Sequence, residues 1–371
     1  MTIYQPLPDI VEKLVLHLRA GENVILSGHR RIGKTLLMQH LEQHRPEDLI
    51  PTYLIVESVN SVNEFYRRLV DHICEQFNSP SEEVQRKLGN WLKTINIEEI
   101  GRKIRFRDPK QIDYIAEFRK LLDRIKPDRP IVLMLDEFPQ AIENIRNRDD
   151  GVAQVQHLLT TQREFRQEPR YKSNIRFIYA GSIGLQNVVE GMGFTKHIND
   201  LKEVKMRPFE PEEAERYLDN LLSHKKLVAA PHVSALILGR ILWLAPFFID
   251  LLVDELTRSP IQTAHIDEAF NALLDHRNNF EHWHGRLRPP ALKPEEYRFC
   301  KAVLNAAADP GKPGIDRADI YNLAVTHSVL DEVPRLMKIL SHDGYLNRDR
   351  QNLYRYISPV VRAWWWREIA N

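Results

Sequence analysis

The chain has 371 residues, enough for two or three domains, because single cores seldom grow beyond about 250 residues. Its 52 basic and 51 acidic residues leave a net charge of +1, so no whole-molecule field directs it to nucleic acid or to a membrane surface. The longest apolar run, Ile241 to Ile249, contains Pro246, is bounded by Arg240 and Asp250, and falls well short of the roughly 20 residues a membrane span requires, so no membrane partner is expected.

In chain order, Asp9, Glu12 and Lys13 near the start do not fit a secretory leader. Cys74 and Cys300 form no C-x-x-C pair, so a cytoplasmic protein with reduced thiols is expected. Ile10, Leu14 and Leu18 recur at helical spacing over residues 9–19, and Val24, Ile25 and Leu26 follow as a strand. Next comes "SGHRRIGKTLLMQHL", residues 27–41, in which Gly28, Gly33, Lys34 and Thr35 complete the pattern G-x-x-x-x-G-K-T. Glycines at both ends let the backbone turn so that the amides of Gly28, His29, Arg30, Arg31, Ile32 and Gly33 converge on phosphate oxygens. Lys34 would carry its ammonium to the β- and γ-phosphates of ATP and Thr35 its hydroxyl to Mg²⁺. Leu36 to Leu41 continue as a helix whose N-terminal dipole favours the anion.

Thr52 to Val56 read as a second strand, and residues 60–95 as helices with Phe65, Leu69 and Ile73 on one face. "IGRKIRFRDPK" then places Arg102, Lys103, Arg105, Arg107 and Lys110 around Ile104 and Phe106, as in a hairpin with one basic face. "PIVLMLDEFPQ", residues 130–140, is an unbroken apolar run ending in two acids, as a central parallel strand would be. Asp136 would bind the metal and Glu137 would polarise the attacking water. "NIRFIYAGS", residues 174–182, is a third such strand, and Ser182 at its end suits either a turn or a group facing the γ-phosphate. Arg146, Arg148, Arg163, Arg166, Arg170, Lys172 and Arg176 surround these strands, as helix-terminal cations or as a source of an arginine for a neighbouring subunit.

A last sheet strand is expected at residues 203–208, a helix from Pro211, and three helices within residues 231–275. The polar stretch at residues 275–294 reads as a connector. Helical patterns at 294–307, 316–326 and 331–342 precede "GYLNRDRQNLYRYIS", two strand-like runs around a polar turn: three helices and a wing. Residues 281–371 hold 14 basic and 11 acidic residues, a net +3, below what a DNA reader concentrates on one face. His342 reads as an ordinary helix C-terminal residue ahead of Gly344.

"GHRRIGKTLL", "VLMLDEF", "IRFIYAGS", "LAPFFIDLL" and "DGYLNRDRQNLYRYISPVVRAWW" together resemble the archaeal-type and bacterial STAND ATPases, relatives of the AAA+ and origin-recognition-type initiators. The resemblance implies an α/β P-loop sheet followed by a helical lid and a winged-helix domain, divided at residues 1–208, 209–280 and 281–371. It implies an ATP-dependent switch, with Pro246 near the adenine and His342 placed to contact the bound diphosphate. Only the proline of the lid's usual G-x-P triplet is kept, in Leu244, Ala245 and Pro246, and "GMGFTKHIND" lacks the arginine many relatives supply to a neighbour. A homo-oligomer, a protein partner or DNA at the winged helix, an ATP-regulated initiator and a nucleotide scaffold with negligible turnover are the alternatives this leaves.

Overall fold

The computed structural model describes residues 6–78, 112–124, 129–287 and 292–370. The basic segment at residues 102–110 and the end of the helical run expected at 60–95 lie outside them. The chain divides into two compact units, one of residues 6–27 and 34–206, the other of Gly28–Gly33 with Arg207 onward.

In the first unit, α1 (Pro8–Arg19), β1 (Val24–Ser27), α2 (Lys34–Gln43), β2 (Ile50–Ile55), α3 (Val62–Asn78), α4 (Tyr114–Arg124) and β3 (Ile131–Asp136) come first. Then follow α5 (Phe138–Arg146), α6 (Gly151–Gln167), α7 (Pro169–Lys172), β4 (Ile175–Ala180), α8 (Leu185–Glu190) and β5 (Lys202–Lys205). The strands form one parallel sheet in the order β2-β3-β4-β1-β5. β3 and β4 are buried along their whole lengths, which is why both read as continuous apolar runs. α1 lays Ile10, Leu14 and Leu18 against β1 and β5, and α3 to α6 enclose an aromatic core of Phe65, Tyr66, Phe118, Phe138, Phe165, Phe177 and Tyr179. This is a P-loop NTPase sheet with both motif strands ending on its carboxyl side.

Most of the arginines after β3 have structural partners. Arg166 is buried, forks onto Asp200 at 2.8 and 2.9 Å and donates to Tyr179 Oη at 3.1 Å; Tyr179 continues the chain to Gln162 at 2.7 Å. The buried charge is thereby paired and hydrogen-bonded. Arg146 pairs with Glu143, Arg170 with Glu168, and Arg176 donates to the Ile175 carbonyl.

In the second unit, α9 (Pro211–His224) opens with a capping box, since Glu210 N–H donates to Glu213 and Arg207 forks onto the same carboxylate. α10 (Pro231–Ile241) and α11 (Pro246–Asp254) are bent by 118° at the break between them, where Leu242 has φ 60°. Among the described residues no single helix is long and apolar enough to cross a membrane. α12 (Thr263–Asp275) follows, and then the structure departs from expectation: the connector is a helix, α13 (Arg277–Leu287), with Phe280, Trp283 and Leu287 buried. Trp283 packs beside Phe248 of α11, and Phe280 stacks on Trp364. Three apolar residues at spacings of three and four suffice for one buried helical stripe, although polar residues surround them.

α14 (Pro294–Ala308), α15 (Arg317–Thr326) and α16 (Val333–His342) then precede an antiparallel pair, β6 (Leu346–Arg348) and β7 (Tyr354–Tyr356), and α17 (Pro359–Trp365). α16 ends with Gly344 at φ 83°, Gly344 N–H donating to the Ser341 carbonyl and Tyr345 N–H to that of Leu340, the paired bonds of a Schellman cap. His342 sits in its last turn, 3.6 Å from the Asp343 carboxylate.

Candidate nucleotide-binding site

β1 delivers the chain into a loop whose Gly28, Arg31 and Gly33 have φ of 142°, 65° and 103°. Both glycines occupy backbone conformations that a Cβ would oppose. α2 begins at Lys34, directly after the loop. Lys34 is only 7% exposed, and the buried side of the loop also takes Ile32. Leu36 is half-buried one residue past Thr35. In the unit that contains the loop, the Arg31 guanidinium lies 4.7 Å from the Phe247 ring centroid and the His29 ring stands edge-on to Trp243 at 6.0 Å. Pro246 opens α11 in that same unit and is buried. Arg30 is half-buried.

At the carboxyl end of β3, Asp136 is 3% exposed, and its two oxygens have distinct partners. Oδ2 accepts the Thr35 hydroxyl at 2.6 Å and the Tyr53 phenol at 3.0 Å, while Oδ1 accepts the Glu137 N–H at 3.0 Å. Burial first, and the Asp136 charge next, push the Tyr53 phenol upward, so it remains a donor at any physiological pH. A hydroxyl and a carboxylate this close are hard oxygens that suit Mg²⁺ completed by water and phosphate.

Glu137 has φ 58° and ψ 31°, a left-handed conformation uncommon for a residue with a side chain and recurrent at functional sites. Its Oε2 accepts two bonds from Ser182, the main-chain N–H at 3.0 Å and the hydroxyl at 2.9 Å. Such contact is possible because β4 lies between β1 and β3 in the sheet. It also depends on Gly181, where a Cβ would fall 2.6 Å from Pro139 Cδ and 3.4 Å from Glu137 Oε2.

The structure therefore brings Thr35 to Asp136 and Ser182 to Glu137. Two contributors were missed in the sequence. Tyr53 lies in an apolar strand and reads as an ordinary core aromatic, and the tightness around Gly181 arises from a segment more than forty residues away. For Gly181 the only local signal was a glycine directly after a buried strand.

Sheet order, glycine loop and acid-ended strand define an α/β P-loop NTPase fold. In agreement, residues 9–171 match the family described as AAA ATPase domain. The chain is similar in fold to the Walker-type ATPase PABY2304 of Pyrococcus abyssi, with a TM-score of 0.68 and 17% identity over 96% of this chain and 94% of that one. It is also similar to the Aeropyrum pernix ORC2 protein in its ADPNP-ADP complexes, with a TM-score of 0.53 and 10% identity over 98% and 93%. At these identities the likeness is one of fold. No curated protein matches the chain.

Proposed function

We propose that the chain is an ATP-binding and slowly ATP-hydrolysing switch of the STAND and AAA+ kind, in which nucleotide state repositions a C-terminal winged-helix domain. Residues 1–208 would form the ATPase domain, 209–280 the helical lid and 281–371 the winged helix, with α13 joining the last two. The observation that carries this reading is the pair of hydrogen-bonded couples, Thr35 with Asp136 and Glu137 with Ser182, gathered at the carboxyl ends of the adjacent strands β3 and β4.

In this reading the loop amides and Lys34 hold the phosphates, and Pro246 lies near the adenine. Mg²⁺, held by Thr35 and Asp136, would neutralise charge on the phosphate oxygens. With Oε2 bound by Ser182, Glu137 would orient water through Oε1, and Ser182 would register the γ-phosphate through the same carboxylate. Protein docking rather than DNA reading is the preferred role of the winged helix. Arg355 is bonded to Asp349 and Gln351, and Arg335 to Glu332 and Glu296, which supports a face built from internal pairs.

Two variants test the reading. Lys34→Ala should lose ATP binding in calorimetry, and affinity equal to wild type would remove the central claim. Glu137→Gln should retain binding and lose at least about a hundredfold in phosphate release, since a positioned base contributes 10²–10⁴-fold. Unchanged release would assign the water to another residue.

A further inference from the structure

Tyr53 is fixed at both ends. Its main-chain N–H, on the edge strand β2, donates to Glu42 Oε1 of α2 at 2.9 Å, so the helix that begins with Lys34 and Thr35 also grips the strand. β2 pairs in parallel with β3, Tyr53 opposite Met134, which brings the phenol to the carboxyl end where Asp136 emerges. There it meets the same oxygen, Oδ2, that accepts the Thr35 hydroxyl, while the Glu137 N–H holds Oδ1. Donors on both oxygens leave the carboxylate one orientation.

We infer that Tyr53 is a positioning residue for a divalent cation at this site, its phenol holding Asp136 in the orientation that accepts the waters of the metal. A Thr35 hydroxyl that offers a lone pair to a cation keeps its proton on Oδ2, but that hydroxyl then turns with the cation. Tyr53 is the second donor on that oxygen, anchored on β2 instead, and keeps the carboxylate from rotating. Partners of this kind, one step behind the ligands, commonly change metal affinity by 10–100-fold when removed. The inference rests on the nucleotide-binding reading above.

Tyr53→Phe removes one oxygen and retains the ring, the strand and the Glu42 bond. Affinity for ADP is measured by calorimetry in EDTA, and the affinity of the ADP complex for Mn²⁺ by electron paramagnetic resonance, alongside the melting temperature. The expected result is metal-free ADP affinity and melting within twofold and two degrees or so of wild type, with Mn²⁺ binding weakened about tenfold. Mn²⁺ affinity within twofold of wild type would overturn the inference while leaving the nucleotide reading intact. An equal loss in metal-free ADP binding and in melting would also overturn it, by assigning Tyr53 a general structural part. If wild-type protein binds no ADP at all, the nucleotide reading itself falls, and the inference with it.

Discussion

Gly181 is the residue on which the contact between Glu137 and Ser182 depends most directly. Its missing Cβ is occupied by the Pro139 ring at the start of α5, and a ring fixed to a helix yields less readily than the end of a flexible side chain. Gly181→Ala should push Pro139 and with it Glu137 away from Ser182, lowering kcat by about tenfold or more while ADP affinity changes little. Steady-state kinetics with calorimetry on the same sample would decide it, and unchanged kcat would mean that α5 can shift without disturbing the acid. At this scale the sequence was informative about identities and silent about couplings. The glycine loop and the acid-ended strand were legible as local patterns, because each adjoins an apolar run in a fixed spacing. The Ser182 bonds were not, because they depend on which strand lies beside which.

Among the elements, α11 carries an unusual acid. Asp250 accepts the Tyr217 hydroxyl at 2.6 Å, and burial, helped by the nearby Asp254 charge, pushes its carboxyl up to about 6 from an ordinary 3.8. The fold thus favours the protonated form. Between pH 4 and 6 the folded state holds a proton the unfolded chain has released, so this group makes stability fall as pH rises through that window and adds no further change above it. Asp250→Asn keeps an oxygen for Tyr217 and removes the penalty. It should raise stability near pH 7.5 by on the order of 2 kcal/mol, with the gain vanishing near pH 4, as thermal melts at the two pH values would record. β3, β4 and the helices from α9 to α12 were legible because apolar period or continuity dominated each segment. α13 was not, because Phe280, Trp283 and Leu287 are too sparse among polar neighbours to outweigh them, and only packing on Phe248 and Trp364 explains their burial.

For the whole molecule, net charge near zero and a wing whose arginines are partly engaged predict weak attraction to DNA. Replacing Arg348, Arg350 and Arg355 by Gln should leave duplex binding as weak as before, with the salt slope unchanged in fluorescence anisotropy, while altering how ADP and ATP change the scattering radius. A slope that drops by about three in the triple variant would favour a DNA reader instead. The outer strands of the sheet carry a different consequence. β5 exposes Lys202, Glu203 and Lys205, and the outward N–H of Tyr53 on β2 is taken by Glu42. Exposed charges on one rim and the Glu42 bond on the other work against strand addition by another copy of the chain, the usual route to intermolecular β-pairing. One rim is guarded by its own charges, the other by α2. Whatever anchors α2 should therefore also delay aggregation on heating, a protection that turbidity would record independently of any turnover.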